Sequence, residues 1–278
     1  MAQIPLGKLL VIAGVAVLVG LAGCNTGGNG TPTATGTDDA TTDTAPEPLE
    51  EIDGEQLTNA TAATIEEAGS YTLSQSGSFE SSGPQGESST DSNSTTRVDF
   101  EAERGIRETS QTFTNANQTR ELETSVYTDG DTSYRQRNSS QGVQYASQTG
   151  DGTGLSAIRT VNVTSFPQNY TAVTDGFEWE ANGTETIDGT PTVRYTSTNV
   201  SDSSTFVGVE NVTVRNASST LYVDSDNVIR RASLEYTVED NSTTYSIETT
   251  VTLTDIGSTT VEEPDWLSEA QATETPAQ

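Results

Sequence analysis

Apolar side chains alternate with polar ones along several segments, and this period of two constrains the fold more than any other feature. Ala232, Leu234, Tyr236 and Val238 alternate with polar residues, and residues 245–253 repeat the pattern. Residues two apart in a strand point to the same side of a sheet, so each segment has one apolar and one wetted face. Such faces are typical of antiparallel sheets. The sequence therefore predicts a mainly β (α+β) domain over residues 51–268.

Turn and cap sequences divide this domain into elements. Asp129-Gly130 and Asp188-Gly189 lie between alternating segments, and Asp-Gly favours tight hairpin turns. Residues 81–94 are rich in Ser and Gly, and we expect a long loop there. Asp53 and Gln56 have the spacing of a capping box and Gly69 follows an apolar stripe, which predicts a helix over residues 53–68. A short second helix is predicted over residues 154–161.

The N-terminal part is typical of an exported lipoprotein. Lys8 precedes an uninterrupted apolar run over residues 9–22, which is too short for a membrane span but suits a signal peptide. Leu21-Ala22-Gly23-Cys24 resembles a lipobox, in which the cysteine thiol takes the lipid. We therefore predict a signal peptide at 1–23 and lipidation of Cys24. The Thr-, Pro- and Gly-rich residues 24–50 predict a disordered stalk, and 269–278 a disordered acidic tail.

Composition excludes several classes of function. The chain of 278 residues has 41 acidic and 12 basic residues, no histidine and one cysteine, for a net charge of −29. A histidine-based catalytic triad, a histidine-ligated metal site and an intramolecular disulfide are therefore excluded. Repulsion of phosphate backbones argues against a nucleic-acid partner. We predict no metal, no cofactor and no enzymatic activity, and we expect concentrated salt to stabilise so acidic a chain.

N-glycosylation sequons (Asn-x-Ser/Thr) are more frequent in this chain than its Ser- and Thr-rich composition explains. A glycosylated surface agrees with a location on the outer face of the cell membrane. Some sequons are expected to be accidents of Thr-rich strands. The candidate N-glycosylation sites are Asn59, Asn93, Asn117, Asn138, Asn162, Asn169, Asn182, Asn199, Asn211, Asn216 and Asn241.

Short phrases in series carry a resemblance to a known family. They are Ser-Tyr-Thr-Leu at 70–73, Val-Tyr-Thr-Asp-Gly at 126–130, Leu-Tyr-Val-Asp at 221–224 followed by Ile-Arg-Arg at 229–231, and Pro-Asp-Trp at 264–266. With the lipobox and stalk, this order resembles haloarchaeal lipoproteins of uncharacterised function and the LolA/LppX-like carriers of lipids and lipoproteins. The resemblance implies a curved antiparallel half-barrel, with one or two short helices covering the concave face and an apolar cavity for acyl chains.

Three functions remain open from the sequence. The first is a lipid-anchored cell-surface glycoprotein that carries or senses a hydrophobic, lipid-like ligand between sheet and helices. The second is an envelope glycoprotein that acts through its surface and sugars without a small-molecule ligand, and the third, less favoured, is a carboxylate-dependent glycan hydrolase. The ligand-cavity candidates, each of which could equally fill an ordinary core, are Val126, Tyr195, Leu234, Tyr236, Ile247 and Val251.

Overall fold

The computed structural model describes residues 46–84, 86–115, 118–150, 154–155, 178–197, 213–240 and 242–273. The signal peptide, Cys24 and most of the stalk lie outside these residues. The predicted second helix at 154–161 also lies outside them, except for Gly154 and Leu155.

Eleven strands of the described residues form one antiparallel sheet, and two helices of the same residues pack against it. The strand order is β6-β5-β4-β3-β2-β1-β11-β10-β9-β8-β7, and every neighbouring pair is antiparallel. The elements are α1 (Gly54–Ala68), β1 (Ser70–Gly83), β2 (Gly86–Asp99), β3 (Arg104–Asn115), β4 (Gln118–Asp129), β5 (Thr132–Ser139), β6 (Gly142–Thr149), β7 (Glu180–Ile187), β8 (Thr190–Ser197), β9 (Thr213–Val223), β10 (Ile229–Asp240), β11 (Thr243–Thr254) and α2 (Leu267–Gln271). The sheet is open and curved, which confirms the predicted half-barrel class.

Local sequence signals explain the ends of α1 and the tight turns. Asp53 caps α1 by accepting a hydrogen bond from the Gln56 backbone N–H at 3.0 Å, and Gly69 ends the helix in the left-handed conformation at φ 75°. Asp188 and Gly189, with φ of 52° and 75°, connect β7 to β8, as the Asp-Gly signal predicts. The predicted helix and both Asp-Gly turns are therefore confirmed.

The predicted loop over residues 81–94 is wrong. Strand β1 runs on to Gly83 and β2 begins at Gly86, so these residues form a long hairpin. Their backbone groups pair with β11 on one side and with β3 on the other. Two flanking strands satisfy the backbone hydrogen bonds here, so a segment with little apolar periodicity is held as a strand by its neighbours.

The two helices lie on opposite faces of the sheet. We call the face that carries Tyr71 and the residues paired with it the front face, and the other the back face. Leu57 and Ile65 of α1 pack with Tyr71 and other buried front-face residues of β1, β2 and β8–β11. These fully buried side chains form the main core, each contributing about 1.5–3 kcal/mol.

A second, smaller core lies on the back face. Val261 and Leu267, in the C-terminal segment that ends in α2, pack on Ile106 of β3 and Tyr127 of β4. Helix α2 reaches Gln271, so the folded part extends past the predicted boundary at residue 268. The C-terminal segment thus covers β3–β5 on one side of the sheet, while α1 covers β1 and β8–β11 on the other.

Candidate functional site

A polar groove of about 560 Å³ crosses the back face over β1–β5 and β11. Every lining residue is Ser, Thr, Asn, Gln or Glu, including Ser76, Asn93 and Thr250. Hydroxyl and amide groups suit a polar molecule, whereas an acyl chain gains nothing from such a surface. The groove is therefore not the apolar cavity that the family resemblance implies.

Two glutamates in this groove have partners. Glu108 makes an ion pair with Arg97 at 3.0 Å, and Glu123 accepts a hydrogen bond from the Asn138 amide at 2.9 Å. The Oγ atom of Ser125 is buried and has no hydrogen-bond partner among the described residues. The two carboxylates required for glycan hydrolysis are thus present on neighbouring strands, but each is held by a side chain of its own face.

All six ligand-cavity candidates lie on the front face, as the strand registers show. Tyr195 and Val251 are buried in the core beneath α1, and Leu234 packs against that core half-buried. The Tyr195 hydroxyl accepts a hydrogen bond from the Leu49 backbone N–H at 2.6 Å, and burial raises the pKa of this tyrosine. These residues join the start of the described chain to the sheet.

The remaining candidates lie further out on the same face. Tyr236 packs with Leu234 around Ala217, and burial raises the pKa of its hydroxyl. Ile247 is paired with Phe79 of β1 and with Tyr236 of β10, and its side chain is half-buried. Val126 lies apart from these residues, four strands away on β4. None of the six lines the back-face groove.

Charge is distributed unequally between the faces. In β1–β6, β11 and β10 up to Glu239, antiparallel pairing and side-chain alternation place every carboxylate on the back face. These residues are Glu80, Glu87, Asp91, Asp99, Glu108, Glu121, Glu123, Asp129, Glu235, Glu239 and Glu248. The front face of the same strands has none, in a chain with 41 acidic residues.

Four arginines lie on this carboxylate-free front face: Arg107, Arg120, Arg135 and Arg137, which we call the front arginines. None makes an ion pair with a described residue, whereas Arg97 and Arg215 on the back face pair with carboxylates at 3.0 and 2.8 Å. The sequence patterns did not predict the front arginines. The only signal in the sequence is that these arginines occur at the same alternate positions as the apolar residues of their strands. Assigning them to one face of the sheet requires the strand register.

Arg107 is the front arginine that is drawn furthest into the sheet surface. Its Nε donates a hydrogen bond to the Ser94 hydroxyl at 3.2 Å, and the Thr109 hydroxyl donates to the same oxygen at 3.3 Å. Burial lowers the pKa of the Arg107 guanidinium, and the nearby Tyr71 hydroxyl raises it in part. A guanidinium remains protonated under these conditions, so Arg107 is a partly desolvated positive charge.

The predicted sequons fall into two groups. Asn93 and Asn138 are exposed on the back face, Asn59 is exposed on α1, and Asn182 and Asn216 are exposed on β7 and β9. The others lie outside the described residues: Asn117, Asn162, Asn169, Asn199, Asn211 and Asn241. Because Asn93 lines the polar groove, a glycan on it would occupy that groove.

Within the described ranges, no group of three or more His, Cys, Asp or Glu residues could hold a metal ion. No helix in that part of the chain is both long and apolar enough to cross a membrane.

Comparison with known proteins gives one family match. Residues 8–270 match the model of a family of unknown function, DUF7537. No curated protein matches the chain.

Several solved structures are similar to this fold. The lipoprotein LppX of Mycobacterium tuberculosis is 16% identical, with a TM-score of 0.33 and coverage of 76% of this chain and 99% of LppX. A DUF1329 protein of Desulfovibrio piger is 10% identical, with a TM-score of 0.26 and coverage of 79% and 98%. A candidate outer membrane lipoprotein-sorting domain of Vibrio parahaemolyticus is also 10% identical, with a TM-score of 0.27 and coverage of 78% and 98%. The similarity agrees with the stated resemblance in fold and says nothing about what this chain binds.

Proposed function

The chain belongs to DUF7537, a family of unknown function, and from that premise we propose that it is a lipid-anchored binding protein of the outer cell surface that holds an amphiphilic molecule on its front face. It acts by binding and not by catalysis. The observation that carries the proposal is the absence of carboxylates from the front face of the described central strands, although the chain is strongly acidic. The carboxylates of the back face are in contact with water, so their presence there does not require a charged ligand.

The apolar part of the front face continues beyond α1. Leu57 and Ile65 of α1 cover the end of the sheet near Tyr71, and further along the strands Phe79 and Ile247 are only half-buried. Between these regions, the front-face positions of β1 and β2 are small or polar, as at Gly77. A β-carbon at Gly77 would lie 3.2 Å from a backbone oxygen, so the lack of a side chain at this position leaves a shallow depression in the face. A depression that is bordered by apolar side chains suits an acyl chain.

The remaining parts of the proposal come from the sequence. Cys24 anchors the chain in the outer leaflet, residues 24–50 form the stalk, and the domain stands outside the membrane. Glycans at Asn93 and Asn138 would cover the back face and leave the front face accessible. A glycosylated back face and an accessible front face favour a ligand-binding role over a structural role that depends on glycans alone. The hydroxyl-lined groove of the back face would suit the structural role.

The experiment compares two neighbouring positions of β11 that point to opposite faces. A fluorescent fatty acid is titrated into the full-length chain, purified in neutral detergent and molar salt, and into the variants Ile247→Glu and Ser246→Glu. Both variants add one negative charge to the same strand. We expect Ile247→Glu to weaken binding at least tenfold, because a charge replaces an apolar contact worth about 1.5–3 kcal/mol, and Ser246→Glu to leave it unchanged.

Near-UV circular dichroism of both variants verifies that the sheet is intact. Equal binding by the two variants, or an absence of fatty-acid binding by the unmodified chain, would contradict a ligand site on the front face.

A further inference from the structure

Resting on the proposed function, we propose that Arg107, Arg135 and Arg137 bind the anionic headgroup of a single lipid molecule whose acyl chains lie on the apolar part of the front face. The ligand class is therefore an anionic lipid with a phosphate or sulfate headgroup, in preference to a neutral or zwitterionic one. This assigns a polar site to β3–β5, separate from the apolar contacts of β10 and β11.

The strand registers place the three arginines close together. Arg107 of β3 is paired with Val126 of β4, which is paired with Arg135 of β5. Two strand spacings separate the backbones of Arg107 and Arg135, about 10 Å, and Arg137 follows two residues further along β5, about 7 Å away. Because the Arg107 side chain leans towards Ser94 of β2, a headgroup that contacts all three arginines would lie over Thr109 and Thr124, in the row between Ser94 and Arg137. Arg120 is excluded because its partner Phe113 lies six residues from Arg107, about 20 Å along β3.

Hydroxyl groups complete the site. The row that contains Arg137 continues through Thr124 and Thr109 to Ser94, all on the front face. Thr109 and Arg107 both donate to the Ser94 hydroxyl. Phosphate and sulfate oxygens accept several hydrogen bonds at once, and guanidinium groups bind them in a forked geometry.

The absence of a carboxylate partner is what points to an anionic ligand. Most back-face arginines have carboxylate partners, as Arg97 has in Glu108 and Arg231 in Glu185, whereas Arg194 donates to the backbone oxygen of Asn182. The front arginines have no such partner among the described residues, and one of them is partly desolvated. Placing an uncompensated cation in such an environment is costly, so a bound anion would relieve the cost.

The position of the arginines also fits an amphiphile better than a free polyanion. From Arg107 the front face runs along β3 to Phe113, which is 39% exposed, lies about 20 Å away and shares its row with Phe79 and Ile247. Charged and apolar surfaces therefore lie on one face, separated by about the length of an extended acyl chain. A nucleic acid or another large polyanion would meet the field of the net charge of −29, whereas one headgroup meets only the local arginines.

The test compares two lipids with the same acyl chains. The full-length chain in neutral detergent micelles is titrated with dioleoyl phosphatidylglycerol and with dioleoyl phosphatidylcholine, at the lowest salt concentration that keeps it folded. The site variant is Arg107→Gln/Arg135→Gln/Arg137→Gln, and the matched control is the back-face triple variant Arg97→Gln/Arg215→Gln/Arg231→Gln, with the same change in net charge. We expect the chain to prefer phosphatidylglycerol at least tenfold, and only the site variant to lose this preference.

A second variant protects the test against misfolding. Arg135→Gln/Arg137→Gln changes only the two exposed arginines and leaves Arg107 in place. We expect it to lower the affinity for phosphatidylglycerol by at least threefold, and Arg135→Lys/Arg137→Lys to restore part of it.

The outcomes separate the headgroup site from the proposed function. Equal affinity for both lipids, or equal losses in the site and control variants, would overturn the headgroup site while leaving the apolar ligand surface. Binding of neither lipid would overturn both. Saturable binding of inorganic phosphate at the same arginines, with no binding of phosphatidylglycerol, would identify a free anion as the ligand and would also overturn the lipid site.

Discussion

Replacing Asp224 by alanine tests how the turn between β9 and β10 stabilises the fold. Among the described residues, Asp224 is the only buried carboxylate, at 5% exposure. Its Oδ1 accepts hydrogen bonds from the backbone N–H groups of Asp226 and Val228, each at 2.9 Å. Its Oδ2 makes an ion pair with the Nε of Arg230 at 2.7 Å. One side chain therefore satisfies two turn amides and a largely buried guanidinium.

The magnitude follows from what Asp224→Ala leaves behind. Removing one partner of a buried ion pair costs about 3–5 kcal/mol, because the remaining charge stays desolvated. The side chain of Arg230 is 13% exposed, so water compensates only part of this loss. Each unsatisfied amide adds about 1 kcal/mol or more, although the turn can expose the Asp226 amide to solvent. We expect Asp224→Ala to lower the free energy of unfolding by about 4 kcal/mol, a large part of the stability of an ordinary domain.

The assay is urea unfolding of the full-length chain and its variants in the same molar KCl, followed by circular dichroism. Glu239→Ala is the matched control, because it breaks an ion pair with Arg215 whose side chains are 46% and 55% exposed. Exposed pairs contribute about 0–1 kcal/mol. In Asp224→Ala/Arg230→Met the uncompensated charge is gone, and we expect part of the stability to return. Asp224→Ala within 1 kcal/mol of Glu239→Ala would refute this account of the turn.

Three further predictions concern the core, pH and salt. Thr61→Val leaves the buried backbone N–H of Ile229 without the acceptor it has at 3.0 Å, so we expect a loss of about 1–3 kcal/mol in urea unfolding; an unchanged midpoint would contradict it. Burial raises the pKa of Tyr127 to about 12, against about 10 in the unfolded chain, so its contribution is complete below pH 10 and is lost between pH 10 and 12. Tyr127→Phe should then unfold with a weaker pH dependence from pH 9 to 11.5, and parallel curves would exclude this. Finally, the net charge of −29 predicts that the thermal midpoint rises steeply between 0.1 and 2 M KCl, because the Debye length falls from about 10 Å to below 3 Å; a flat response would count against it.

The sequence predicts those elements whose local signals and tertiary environment agree. Helix α1 has a cap, a terminal glycine and an apolar stripe, and its predicted bounds are right to one residue. The segment around Leu234 alternates because its front face packs on the core. The outer hairpin of β1 and β2 has none of these signals, since residues such as Ser78 and Ser89 meet mainly polar neighbours. Its strands are held by pairing with β3 and β11, which no local pattern records.

The candidate site was harder to predict than the fold, because it depends on register. The six apolar candidates do share one face, as alternation within each strand requires once the strands are paired. Their division into a core beneath α1 and a half-buried outer group could not be predicted, since it depends on where the helix ends over the sheet. Arg107 and Arg135 are 28 positions apart and meet only through the register of β3, β4 and β5.

The back face has carboxylates beside its arginines and the front face of the described strands β1–β6 has none, which raises the question of what the front arginines are for. If arginine served only to offset the net charge, each would gain most beside a carboxylate, as Arg97 and Arg215 do on the back face. On the front face the nearest groups along the rows are hydroxyls and apolar side chains, which cannot neutralise a guanidinium. Arg107 bears this cost without a described counter-ion, while glutamine at the same position would keep its hydrogen bond to Ser94 without the charge. A bound anion from outside the strands that form the face, such as the proposed headgroup, would give this positive charge a partner.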